Sequence, residues 1–369
     1  MSLMKENKLS PSLRFGEFKE NWNQVILGSI SKSISSGKSK EERFGEFDLY
    51  GSTGKIGLCS QYSNDGKFIL AARVGANAGL LNFVNGTFGV TDNALVIDIN
   101  ENNDINFIYY CLTSFNLRRL IFGSGQPLIT AGQLKKLKIL TPGLKEQKKA
   151  AEFISSVDKK IQLLENKKEQ LELYKKGLFQ KIFSQEIRFK DDNGNSYPDW
   201  AQKRLDEISD IKKGKQLNKS ELTELGAYPC INGGVNPSGY TENWNRNENT
   251  ITISEGGNSC GYVNYLKTKF WCGGHCYSLL NLSELVFDTF LFQLLKNNEQ
   301  KIMRLRVGSG LPNIQLKEIS KIILRLPILD EQKKIADFLS SIDKKIDCVS
   351  VQIDKTREFK KGLLQQMFI

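Results

Sequence analysis

His275 is the only histidine in 369 residues, so a proton shuttle working near neutral pH would rest on that one imidazole. No nucleophile elbow is read beside it, which leaves serine–histidine or cysteine–histidine catalysis without a partner. Cys260, Cys272 and Cys276 bring zinc-ligand atoms close to His275 in sequence. Their spacing is not Cys-x-x-Cys and no second pair follows, so they read as small buried hydrophobes. Gly54-Lys55 ends like a phosphate loop, yet Leu49 stands where its first glycine belongs and Ile56 where its hydroxyl belongs. Methyl transfer to an amine would need an Asn-Pro-Pro-aromatic box. The nearest segment, Asn236-Pro237-Ser238-Gly239, lacks the second proline and the ring. These residues point to a chain with no catalytic residue, metal or cofactor of its own.

What remains is charge and surface. The formal net charge is +11, which favours an acidic partner. The excess of Lys and Arg is spread along the chain and forms no basic arm, so such a partner would meet folded surfaces. No apolar run approaches the ~18–20 residues of a membrane span. The first residues lack the apolar stretch of a secretory leader, and seven irregularly spaced cysteines suit reduced thiols. A cytoplasmic setting without a membrane partner is expected.

The elements that must carry any surface chemistry are mixed. Residues 68–72, 94–99, 250–253 and 277–282 read as short buried strands, and 106–120 and 285–304 have helical spacing. The fold class expected is α+β, with two mixed α/β globules that share anchors. Leu13-Arg14-Phe15 leading to Trp22 matches Ile187-Arg188-Phe189 leading to Trp200. Ser36-Gly37-Lys38 matches Lys213-Gly214-Lys215, and Gly75-Ala76-Asn77 resembles Gly256-Gly257-Asn258. Gly123-Ser124-Gly125-Gln126-Pro127 matches Gly308-Ser309-Gly310-Leu311-Pro312. A common scaffold with different loops should serve two different targets.

Behind each globule stands the same helix. Leu144–Phe183 returns at 329–368 with a constant offset of 185 and about half of its positions identical. Ile154, Val157, Ile161, Leu164, Leu171, Leu178 and Ile182 fall at alternating steps of three and four, the seam of a coiled coil. Leu339, Ile342, Ile346, Val349, Thr356, Leu363 and Met367 repeat it. Lys168 and Lys175 interrupt the first seam, Thr356 and Lys360 the second. Neither helix is apolar all round, so each needs a partner, and internal two-fold symmetry would make the pair antiparallel. A helix of that length spans about 60 Å at ~1.5 Å per residue, equivalent to about 17–18 base pairs of duplex. Before each helix lies a proline and an acidic-Gln-Lys-Lys box, Glu146-Gln147-Lys148-Lys149 and Glu331-Gln332-Lys333-Lys334. Early carboxylates suit a helix start; the intact Gln-Lys-Lys needs another reason.

The pattern Pro-x-x-x-Glu-Gln-Lys-Lys, then a coiled-coil helix closing on Lys-Lys-Gly-Leu-x-Gln-x-x-Phe, placed twice behind two variable globules, resembles the specificity subunit of Type I restriction–modification systems. The resemblance implies target recognition domains at 1–143 and 185–328, and spacer helices at 144–184 and 329–369. It implies double-stranded DNA with a bipartite site as partner, two methyltransferase subunits docked on the helices, and two endonuclease/translocase subunits through them. S-adenosylmethionine, ATP and Mg would then sit on those partners. A scaffold joining two protein-binding globules without touching DNA stays open. So does the specificity subunit of a system in which one polypeptide both cuts and methylates.

Under this resemblance, phosphate contacts would come from Lys38, Lys40, Arg43, Arg73, Arg118, Arg119, Ser124 and Gln126 in the first globule. In the second they would come from Lys213, Lys215, Arg246, Arg304, Arg306 and Ser309. Asn77, Asn232, Asn236 and Asn258 are the candidates for reading base edges.

Overall fold

The computed structural model describes residues 10–121, 127–308, 310 and 312–368, so Ser124, Gln126 and Ser309 lie outside the described residues. It divides into two compact units. Residues 1–166 with 350–369 form the first, and 167–349 form the second. Both divisions fall inside the long helices, so each helix gives one half to each unit.

The first unit runs through β1 (Asn23–Ile26), β2 (Ser31–Ser36), β3 (Phe47–Gly51), β4 (Gly54–Cys59), β5 (Asn64–Ala72), β6 (Leu81–Val90) and β7 (Ala94–Ile99). Helices α1 (Ile105–Phe115) and α2 (Ala131–Lys135) follow, then β8 (Lys138–Thr141) and the long helix α3 (Leu144–Phe183). Six strands make one sheet in the order β2-β7-β5-β6-β3-β4. It is antiparallel except where β3 runs beside β6. The period of two is plain at its centre. Ile69, Ala71, Leu95 and Ile97 join the core under α1, with Phe107, Ile108 and Leu112. Leu70, Ala94 and Val96 face the other side, against Val84, Phe88 and Val90. Asp104 caps α1 by accepting from the Phe107 amide at 2.9 Å, and Asn116, left-handed at φ 60°, ends it. β1 and β8 form a separate antiparallel pair.

The second unit contains β9 (Ala201–Arg204), α4 (Leu205–Ile208), β10 (Asp210–Lys213), β11 (Tyr228–Ile231), β12 (Gly239–Thr241), β13 (Thr250–Ser254), β14 (Val263–Leu266), β15 (Trp271–Cys272) and β16 (Cys276–Leu280). Then come α5 (Asp288–Asn297), α6 (Glu299–Met303), α7 (Leu316–Ser320), β17 (Ile323–Leu326) and the long helix α8 (Leu329–Met367). Its sheets are ordered β10-β16-β13-β14, β12-β11-β15 and β17-β9. This is the winding of the first unit with one strand cut. Ile251 faces Leu279 as Ile69 faces Ile97, and Ile253 faces Val263 as Ala71 faces Leu81. Ile231 runs parallel beside Cys272 as Tyr50 does beside Val90. β14 and β15 therefore take the place of the two ends of β6. The fold is α+β, one topology used twice.

Within each unit the helix halves run antiparallel. In the first, Asp158 of α3 pairs with Lys360 of α8, and Glu165 with Arg357. Later residues of one helix meet earlier residues of the other. In the second, Lys175 pairs with Asp343, and Leu178 and Ile182 join Ile335 and Leu339 in one core. Of the lysines that interrupt the seams, Lys175 and Lys360 are thus answered by an aspartate of the opposite helix, while Lys168 pairs with Glu172 on its own. Ile353, absent from the sequence-derived seam, is buried in it.

The recurring acidic-Gln box is explained by burial. Glu146 is 5 % exposed and Glu331 0 %, and Gln147 and Gln332 are equally enclosed. Arg14 grips Glu146 through Nε and Nη2, both at 2.7 Å, and Trp22 Nε1 donates to the same carboxylate at 3.2 Å. Arg188 and Trp200 do the same for Glu331, at 2.8–3.2 Å. Gln147 Nε2 donates to the Pro142 carbonyl while its Oε1 accepts from the Asp104 amide. Gln332 repeats this with Pro327 and Phe287. The two lysines differ from that pair: Lys149 reaches Glu17 and Lys334 reaches Asp192 at the surface. Glu331→Ala leaves the Trp200 N–H without its acceptor and the Arg188 guanidinium without its buried charge partner, with only the Tyr197 and Pro198 carbonyls and Asp199 beside it. It should cost about 3 kcal/mol or more in urea unfolding, and a loss below about 1 kcal/mol would show that the buried pair is not what fastens this helix.

Candidate nucleic-acid interface

Each unit carries the same tight turn where its central strand ends. After β5 come Arg73, Val74, Gly75, Ala76, Asn77, Ala78 and Gly79; after β13 come Glu255, Gly256, Gly257, Asn258, Ser259, Cys260 and Gly261. Gly75 (φ 77°) and Gly257 (φ 76°) are left-handed, as are Gly79 (φ 86°) and Gly261 (φ 88°). The Ala78 amide donates to the Gly75 carbonyl as Cys260 does to Gly257, and Gly79 closes on Ala72 as Gly261 does on Ser254. The proline segment lies alongside: Gly75 donates to Pro127 and Gly257 to Pro312. The register corrects the sequence alignment by one residue. Gly75 corresponds to Gly257, so Asn77 matches Ser259, and Asn258 matches Ala76. At the outer glycines space is short as well. A Cβ on Gly79 would lie 2.8 Å from the Arg118 nitrogen, and one on Gly261 2.8 Å from the Met303 Cα.

On this frame the first unit gathers Arg73, Asn77 and Arg118. Arg73 is half-buried with Nη1 on the Asp92 carbonyl at 3.3 Å, and Arg118, exposed, donates to the Ala76 carbonyl at 3.2 Å. Arg119 beside it is exposed. Lys38 follows Gly37, which no other residue can replace without a shift, since a Cβ there would lie 2.1 Å from the Val90 oxygen. Lys38, Lys40 and Arg43 are exposed on the loop that follows, with Arg43 over the Phe44 ring at 5.6 Å.

The second unit places different chemistry on the frame. Glu255, which sequence reasoning missed, occupies the position of Arg73. It is buried; its Oε1 accepts from Lys213 Nζ at 2.6 Å and Tyr277 OH at 3.0 Å. Burial, and then that carboxylate, push the Tyr277 phenol upward. Glu255 Oε2 has no hydrogen-bond partner and lies 3.8 Å from His275 Nδ1. Only a correct register of the turn would have revealed this residue, and the sequences between anchors are too dissimilar to supply it. Lys215, Asn236, Asn258, Arg304 and Arg306 are exposed. Asn232 is half-buried and accepts from the His275 amide at 3.1 Å. Arg246 is spent within the fold: its guanidinium donates to Ser278 Oγ, the Asn245 carbonyl and the Lys213 carbonyl at 2.7–3.3 Å.

Residues 19–173 and 197–356 each match the type I restriction modification DNA specificity domain family. The chain belongs to that family. It is 32% identical over 178 residues to a Mycoplasma genitalium protein named as a type I specificity subunit, covering 47% of this chain and 46% of that one. It is 29% identical over 196 residues to the specificity subunit of the type I restriction enzyme MjaVIII of Methanocaldococcus jannaschii, covering 50% and 46%. The chain thus spans about half the length of the curated relatives it matches. Its fold is similar to the crystal structure of a type I system S subunit from M. genitalium, with a TM-score of 0.69, 21% identity, and 98% and 99% of the two chains covered.

Residues 257–261 do spell Gly-x-Ser-x-Gly, which the sequence reading passed over. The segment joins antiparallel strands β13 and β14 instead of a strand to a helix, so it lacks the geometry of a nucleophile elbow. Cys260, Cys272 and Cys276 are buried. A hydrogen bond between the last two lowers the Cys272 thiol and raises that of Cys276. Among the described residues no cluster of three or more His, Cys, Asp or Glu is arranged to hold a metal, and no helix is long and apolar enough to cross a membrane. Gly79→Ala must meet both a left-handed backbone and the Arg118 nitrogen, whereas Gly75→Ala meets the backbone penalty alone. In urea titrations Gly75→Ala should cost about 1 kcal/mol and Gly79→Ala about 2–3 kcal/mol; equal losses would refute the packing argument.

Proposed function

We propose that this chain is the DNA-specificity subunit of a type I restriction–modification complex, with each unit reading one half of a bipartite duplex site. The observation that carries this reading is one backbone frame built twice with unlike side chains. Arg73, Asn77 and Arg118 in the first unit are replaced by Glu255, Ser259 and Met303 in the second. Guanidinium and amide groups complement guanine and adenine edges, and carboxylates accept from the amino group of cytosine. Two such surfaces would read two different half-sites, and the exposed lysines and arginines around them would supply salt-dependent affinity.

The subunit is non-catalytic in this reading. Two methyltransferase subunits docked on the long helices carry S-adenosylmethionine, and two endonuclease/translocase subunits carry ATP and Mg, all in the cytoplasm. The antiparallel pairing of helix halves in each unit supports a spacer role, because it fixes where each reading surface starts on its helix.

Exchange of residues 184–328 for the matching segment of another family member tests the reading. Mapping methylated bases in the host genome should show one half-site changed and the other kept. A change in both halves would sink the modular assignment. Adding one helical turn to both long helices at the 166/167 and 349/350 divisions should lengthen the tolerated gap between half-sites; an unaltered gap on the same maps would remove the spacer role.

A further inference from the structure

The two most exposed large apolar side chains among the described residues are Leu225 at 91% and Phe44 at 88%. They occupy the same place in their units. Phe44 lies in the loop from β2 to β3, and Leu225 in the loop from β10 to β11, strands that correspond by pairing register. Each is followed by a glycine pressed flat on the next strand of the hairpin. A Cβ on Gly45 would lie 2.4 Å from the Cys59 nitrogen of β4, and one on Gly226 2.8 Å from the Thr241 nitrogen of β12.

Both turns are also tied down on the other side. The Glu42 amide donates to the Leu58 carbonyl at 2.9 Å, and the Gly45 amide closes on Glu42. Thr223 exchanges backbone hydrogen bonds with Tyr240 at 2.8 and 2.9 Å, and its hydroxyl donates to the Leu225 carbonyl at 3.0 Å. One residue is therefore held out into solvent by a fixed turn, twice, although the loops differ in length and sequence. Isolated exposed hydrophobes are ordinary; the same one built twice on a rigid mount is a shared device.

In each unit the loop that carries the tip also lines part of a hollow. In the first unit Lys38, Lys40, Glu42, Ser60, Gln61 and Ser63 line about 440 Å³. In the second Gln216, Asn218, Asn232 and Ser238 share the lining of about 530 Å³ with Leu217, Leu222 and Cys230. Hydroxyls, amides and ammonium groups of this kind contact phosphates and base edges.

We propose that Phe44 and Leu225 are wedges, each inserting its side chain into the base stack of duplex DNA at one half-site. Phe and Leu are the residue types that unstack base steps in this way. The two heads differ in charge at the reading turn but share this apolar tip, as expected for a job independent of sequence. Methylation of a base requires that it leave the stack, and a wedge lowers that barrier. The inference rests on the DNA reading above.

The test uses the full chain assembled with its methyltransferase subunits, and a duplex carrying the site mapped from host methylation. 2-Aminopurine is placed in turn at steps of either half-site. Binding of the wild-type complex should raise fluorescence at one step in each half. Phe44→Ala should abolish the signal in one half-site and Leu225→Ala in the other, each weakening binding to intact duplex roughly 10-fold. A mismatch at the affected step should restore affinity, because the stack is already open. Since both side chains stand in solvent, neither variant should lose folding or copurification with the methyltransferase subunits.

Variants that keep the fluorescence change and the wild-type ratio of intact to mismatched binding would overturn the wedge. Loss of copurification with unchanged fluorescence would overturn it in favour of a protein contact. A wild-type complex that ignores the duplex would overturn the DNA reading itself.

Discussion

Glu146 and Glu331 are withdrawn from water at the first turn of their helices, where an uncompensated carboxylate would cost several kcal/mol, or about that much once a partner is lost. Compensation comes from Arg14 with Trp22, and from Arg188 with Trp200. Those partners belong to the segment that leads into each sheet, while the neighbouring Gln147 and Gln332 bond the loop that leads into α1 or α5. Two adjacent side chains thereby bind the start of each long helix to two separate segments of its globule. These polar ties act together with an apolar core that the helices share with each globule: Ala150, Ala151 and Ile154 join Trp22 and Phe107, and Ile335, Ala336 and Leu339 join Trp200 and Phe290.

The seam adds reciprocity. Asp158 pairs with Lys360 in one unit and Lys175 with Asp343 in the other. Adding the repeat interval of 185 to Asp158 and Lys175 gives Asp343 and Lys360. It is therefore one contact made twice with the helices exchanged. A lysine in a coiled-coil seam weakens packing but sets register. Here Lys175 and Lys360 find their charge partners only in the antiparallel register observed, whereas Lys168 pairs with Glu172 of its own helix.

The long helices were legible in the sequence because packing and ion pairing constrain most of their positions, and the constant offset followed. The strands at 94–99 and 250–253 were legible by composition. The registers between anchors were not. Across β5 to β7 the interval is 182 residues, and nothing in the side chains announces the change from 185, because the hydrogen bonds that define the turn are made by backbone. The alignment of Gly75 with Gly256 therefore missed by one residue, and Glu255 was hidden with it. Ile353 was missed for the opposite reason: the seam was projected from the first helix, where Lys168 stands at the corresponding position. Arg246 was chosen for its charge, and only coordinates could reveal that its donors were already occupied.

A division of labour follows from what the two units keep and what they change. Glycines are kept where a Cβ would strike backbone, at Gly37 and Gly214 and at Gly79 and Gly261. The constraint there is steric and independent of any target. Side chains on the frame vary, even in sign of charge between Arg73 and Glu255, because the backbone hydrogen bonds of the turn make no demand on them. Apolar tips at Phe44 and Leu225 fall between these classes. They are not needed for packing, being in solvent, yet their character is common to both units. A feature that is neither required by the fold nor altered with the frame's side chains belongs to whatever the two units do in common, and under the proposed function what two readers of different half-sites would share is the deformable duplex itself.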